Sequence, residues 1–235
     1  MHGVSRTVDY ALGKPVDVHV PGGVTGVPVV LLWHGSGPDE RDALAPLAGE
    51  LAARGVLVVV PDWQSDDAAA GVDQLLASIA FARDRSGAFG GDPGRVVVAG
   101  WSLGASAAAW VGLHPGAFGG WTPTAVVGLG GSYTESPFGD VFAGAGAGTD
   151  AGRRAVLVHG TADHLVPVEQ SAEAAERLVR LGWAARLHRV GTDHAGVIGT
   201  VYDRDRRRCV PTEDPVRVGV RARVAGLVAA TARRT

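Results

Sequence analysis

Three residues whose side chains could cooperate in acyl transfer stand far apart in this chain: Ser102, Asp163 and His194. A serine hydroxyl is a weak nucleophile until a base takes its proton, and the base needs an acid to orient it. Ser102 is the centre of G100-W101-S102-L103-G104, inside "RVVVAGWSLGASAAAW". Asp163 lies in "TADHLVP" and His194 in "GTDHAGVIG", each just past a β-branched run. The order serine, acid, histidine is one of the few in which such triads occur. Other groups compete for these roles. His164 shares the Asp163 loop but has no acid after its own strand. Asp193, one residue from His194, is badly placed to orient that ring. Glu135 stays open as an alternative acid, and His159 and His188 fall inside strands, where a structural role is expected.

The setting of Ser102 predicts how it is held. A valine run ends just before it and a run of helix formers follows, so the serine occupies a tight strand-to-helix turn. Such a turn strains its central residue and crowds the positions two before and two after. Glycine at 100 and 104 relieves that crowding, and the helix N-terminus offers free N–H groups to a nearby negative charge. A tetrahedral oxyanion needs two such donors. The backbone N–H of Leu103 is one candidate, and that of Ser36 in "HGSG" (34–37) is the other.

These positions require a sheet whose strands all end on one rim. Continuous apolar runs recur at 27–33, 56–60, 95–100, 124–130, 154–160 and 185–190, as expected of parallel strands covered on both faces. Helical patterns lie between them at 41–55, 68–85 and 168–182, and another closes the chain at 214–234. Strand and helix alternate from about residue 27, the mark of a βαβ sheet. The first 26 residues read as two antiparallel edge strands, "RTVDY" and "PVDVHV". The glycine-rich "FAGAGAGTDAG" (142–152) reads as a mobile loop inside one domain spanning 1–235.

Composition narrows the function. The chain has 235 residues and a net charge of −2, with Lys14 its only lysine, so no overall field draws it to nucleic acid or anionic lipid. Cys209 is the single cysteine, which excludes an intrachain disulfide and a thiolate metal cluster. No apolar run approaches the roughly 18 residues of a membrane span, and the N-terminus lacks a signal-peptide pattern, so a cytoplasmic location is expected. The histidines show no paired ligand spacing and the glycine-rich turns carry neither a P-loop lysine nor a dinucleotide fingerprint. No metal and no cofactor are expected.

With these residues in view, the chain resembles the α/β-hydrolase family. The resemblance runs from about residue 27 to the end through "LLWHGSG", "GVLVVVPDW", "FGGDPGRVVVAGWSLGASAA", "VLVHGTADHLVPVEQSAEAAERL" and "GTDHAG". It is similar in particular to small dienelactone-hydrolase-like and carboxylesterase-like members. The resemblance implies a mostly parallel eight-stranded sheet with helices on both faces, and ester hydrolysis through an acyl-enzyme. Dienelactone hydrolases proper carry a cysteine nucleophile, whereas this chain has Ser102. The stretch 130–154 is too short for a separate cap domain, so an open site is expected. The expected partner is a small acyl compound, most simply an ester. Thioester, amide or peptide cleavage, a lyase or perhydrolase reaction, or a silent binding module are the alternatives. Trp63 and Trp101 are candidate pocket residues, and "YDRDRRRC" (202–209) reads as a solvated loop, one of whose arginines could bind a substrate carboxylate.

Overall fold

The computed structural model describes residues 4–11, 13–146 and 152–234. The chain opens with a hairpin of β1 (Val4–Ala11) and β2 (Lys14–Val20). Strand and helix then alternate: β3 (Val27–Trp33), α1 (Arg41–Ala52), β4 (Leu57–Pro61), α2 (Ala68–Arg85), β5 (Gly91–Trp101), α3 (Leu103–Leu113) and β6 (Ala125–Leu129). A tiny hairpin of β7 (Glu135–Ser136) and β8 (Gly139–Asp140) interrupts them. Next come β9 (Arg154–Gly160), α4 (Val168–Arg180) and β10 (Ala184–Val190). A second hairpin, β11 (Thr200–Asp203) and β12 (Arg208–Pro211), precedes α5 (Pro215–Arg233).

Eight strands form one sheet in the order β1-β2-β4-β3-β5-β6-β9-β10. From β4 to β10 every pairing is parallel, and the β2 pairings with β1 and β4 are antiparallel. Every residue of β3, β4 and β6 is buried, which explains their unbroken apolar character. One face packs against α2, α3 and α4 through residues such as Leu75, Ala105 and Leu178. The other packs against α1 and α5 through Leu44, Leu47, Leu51, Val224 and Val228. The three-and-four spacing of those leucines puts them on one stripe of α1. Each fully buried leucine contributes roughly 1.5–3 kcal/mol. Asp67 caps α2 through the Ala70 N–H at 3.0 Å, and Asp214 caps α5 through Val216 N–H at 2.8 Å with Pro215 next.

Three details depart from the sequence expectation. Only β1 is an edge. β2 lies inside the sheet, where Val16 and Val18 are fully buried, so its alternating pattern marks a covered strand with polar neighbours. The charged stretch 202–209 is not a plain loop but the turn of the β11–β12 hairpin, whose base buries Thr200 and Cys209 while the charges stay outside. The glycine-rich stretch begins in turns held by buried Phe142, over which the Arg177 guanidinium lies at 3.9 Å. Residues 147–151 of that stretch lie outside the described residues.

Candidate active site

β5 delivers Ser102 to the carboxyl rim of the sheet, and α3 begins at the next residue. Ser102 has φ 55° and ψ −119°, a conformation costly to a residue with a side chain, on the order of 1–3 kcal/mol. Its N–H is tied to Leu129 O at 2.8 Å and its carbonyl accepts from Ala105 N–H at 3.0 Å, which holds the turn closed. A Cβ at Gly100 would collide with the Gly104 carbonyl. One at Gly104 would stand 2.5 Å from His34 O. The two glycines therefore permit the close approach that the turn demands.

Asp163 and His194 reach the same rim from the loops after β9 and β10. His194 Nδ1 lies 2.7 Å from Asp163 Oδ2. A carboxylate only accepts, so Nδ1 carries the proton and Nε2 keeps a lone pair, the arrangement of a general base. The second oxygen, Asp163 Oδ1, accepts from Leu165 N–H at 3.0 Å and Val166 N–H at 2.9 Å. Trp101 braces the histidine from below: its indole N–H donates to His194 O at 3.1 Å and its ring lies 5.2 Å from the imidazole. Among the described residues no hydrogen bond reaches the Ser102 hydroxyl. In unliganded sites such bonds are often loose and tighten with substrate.

Among the described residues neither competing acid hydrogen-bonds His194. Asp193 forms a two-pronged pair with Arg217, both contacts 2.7 Å, which holds its carboxyl below the usual range. Glu135 is exposed on β7, beside a hollow of about 150 Å³ that Trp63 and Leu103 also line. Trp63 lines that hollow and not the cleft that holds Ser102. Its ring is fully buried and stacks on His34 at 5.3 Å.

The "HGSG" loop lies against Ser102. A Cβ on Gly35 would stand 2.9 Å from the Ser102 Cβ and 3.2 Å from the Trp101 ring, so only glycine lets the loop come this close. Leu103 is the first residue of α3, so its N–H has no partner within the helix. Gly37 N–H is taken by Ser65 Oγ at 2.7 Å, whereas the Ser36 N–H meets no acceptor among the described residues. His34, which the sequence reading passed over, shapes this loop. Its Nε2 accepts from Trp63 N–H at 3.2 Å and Glu40 N–H at 3.3 Å, so Nδ1 carries the proton and donates to Gly35 O at 3.0 Å. Complete burial pushes its pKa down to about 4. Its position at the end of β3, directly before the glycines, was the available signal.

Ser36, Trp101, Ser102 and His194 line one open cleft of about 500 Å³. Leu165 and Tyr202, both exposed, form its apolar rim, and Arg207 and Arg208 of the β11–β12 turn border it. Arg208 is paired with Asp42, whereas Arg207, at φ 54°, has no partner among the described residues. Cys209 also lines the cleft, but burial pushes its thiol up to about 11, so it stays protonated at neutral pH. No helix among the described residues is long and apolar enough to cross a membrane.

No known protein family and no curated protein matches the chain by sequence. Solved structures do match by shape. The dienelactone hydrolase from Anabaena variabilis superposes with a TM-score of 0.67 at 17% identity, covering 100% of this chain and 99% of that one. The butyrate-bound esterase Est2 of Thermogutta terrifontis gives 0.73 at 16% identity, covering 95% and 92%. A truncated carbohydrate esterase from gut microbiota gives 0.73 at 17% identity, covering 99% and 97%. With its parallel sheet, its strained serine turn and this likeness over nearly the whole length, the chain has the α/β-hydrolase fold without a large cap domain.

Proposed function

We propose that the chain is a serine hydrolase that cleaves a small carboxylic ester through an acyl-enzyme. The observation that carries this reading is the Asp163–His194 pair, which leaves an imidazole lone pair on the same cleft as the strained Ser102. His194 Nε2 takes the Ser102 proton as Oγ attacks the carbonyl carbon. The carbonyl oxygen becomes an oxyanion and accepts from the N–H groups of Ser36 and Leu103. As the intermediate collapses, His194 returns the proton to the leaving alcohol. A water, deprotonated by His194, then attacks the acyl-serine and releases the acid, and Ser102 recovers its proton. Asp163 keeps the proton on Nδ1 throughout and stabilises the imidazolium.

The similar structures, a dienelactone hydrolase and two esterases, agree with an ester substrate. The open cleft with an apolar rim suits a small acyl compound, and the reading needs no cofactor. The test is turnover of p-nitrophenyl acetate, butyrate and octanoate beside an acyl thioester and an anilide. Ester turnover exceeding both is expected. Thioester or anilide turnover exceeding every ester would reassign the substrate class.

A further inference from the structure

We propose that His159 is a positioning residue of the reaction, holding the acid that orients the base; this rests on the triad reading above. His159 stands near the end of β9, and its ring is fully buried. It is absent from the cleft lining, so it does not touch substrate. Its Nε2 lies 2.9 Å from Val166 O and 3.2 Å from Asp163 Oδ2. Val166 O can only accept, so Nε2 carries the proton and donates it to that carbonyl, with Asp163 Oδ2 in polar contact beside it. Its Nδ1 lies 2.6 Å from Ser171 Oγ on α4; in the neutral ring the hydroxyl donates and Nδ1 accepts.

The carboxylate is held at both oxygens. Oδ1 takes two backbone N–H groups, and Oδ2 takes the N–H of His194 with the His159 ring against it at 3.2 Å. Without His159, Oδ2 keeps only His194, and the Val166 carbonyl loses the N–H that anchors the loop whose backbone holds Oδ1. The same ring ties the Val166 carbonyl and α4 to the strand end, so the loop carrying Asp163 is closed over its own carboxylate. The effect reaches the chemistry through two residues, Asp163 and His194. It should therefore act on turnover and leave binding alone.

The test compares His159→Leu, His159→Gln and Ser171→Ala with the wild type. The readouts are kcat and KM on p-nitrophenyl butyrate, thermal melting, and the downfield proton resonance of the His194 Nδ1–H. In His159→Leu kcat should fall about 10- to 100-fold at unchanged KM, with the resonance broadened or lost. His159→Gln, whose amide N–H can replace that of Nε2, should recover most of the loss. Ser171→Ala, which frees the far side of the ring, should give a smaller fall of the same kind. It also serves as the test should His159→Leu fail to fold. A folded His159→Leu with kcat within twofold of wild type, or His159→Gln no better than His159→Leu, would overturn the proposal. Failure of the triad reading is distinguishable, because Ser102→Ala run in parallel would then keep its turnover; the proposal would fall with it.

Discussion

His194 and Asp163 are 31 residues apart in sequence, yet Nδ1 and Oδ2 meet at 2.7 Å on a rim that neither could reach without its own strand. That single contact fixes the imidazole tautomer. Asp163→Asn preserves size but offers an amide where a carboxylate must accept. It should lower kcat by about 10³- to 10⁴-fold with KM little changed. Steady-state kinetics on a p-nitrophenyl ester checks this, and Glu135→Gln, measured alongside, should stay within about twofold of wild type if Glu135 has no part in the chemistry.

Gly35→Ala tests the approach of the loop to the nucleophile. Its Cβ would enter the space 2.9 Å from the Ser102 Cβ, so either the loop or the serine turn must shift. Misplacement near 1 Å costs on the order of 10²-fold in rate. Turnover should fall by that amount while circular dichroism stays native. Unchanged turnover would show that the loop can yield without disturbing the site.

His34 should make stability pH-dependent. Burial lowers its pKa to about 4, while the unfolded chain titrates near about 6.5. Between these values the unfolded state binds the proton and the folded state does not, so stability rises with pH. The contribution is present above pH of about 6.5 and is lost as pH falls towards about 4, to a limit of about 3 kcal/mol. His19, also lowered by burial, acts in the same direction. Urea unfolding at pH 7 and pH 5 should show lower stability at pH 5, with the difference reduced in His34→Asn. An equal difference in that variant would move the effect to other groups.

Arg207 carries a guanidinium to the cleft border with no partner among the described residues, unlike Arg208, which holds Asp42. If it recognises an anionic substrate group, Arg207→Ala should cost roughly 10-fold or more in kcat/KM on a carboxylate-bearing ester, with little effect on a neutral one. Equal losses on both esters would remove that role.

Much of the fold was legible in the residues. The apolar run at 27–33 is β3 to the residue, and the run at 154–160 is β9, because strands buried on both faces are mostly apolar. The serine turn was equally legible, since Gly100 and Gly104 mark where backbone meets backbone. What escaped lacked such a local signal. β7 and β8 have two residues each, too few for any periodicity, and the charges of 204–208 mask a hairpin held by its base. Trp63 reads as a pocket residue from its loop; its buried ring stacks on His34 and lines a hollow separate from the Ser102 cleft. His159 reads as strand packing because nothing in the sequence shows that the chain folds Asp163 back towards it, within 3.2 Å.

The most direct measurement follows p-nitrophenyl butyrate hydrolysis and fluorophosphonate labelling, read by intact mass, in wild type and Ser102→Ala. Expected is turnover with one label on the wild type, and loss of both in a folded Ser102→Ala. Turnover retained in Ser102→Ala, or a wild type that neither turns over nor takes the label, would contradict the assignment of Ser102 as the nucleophile.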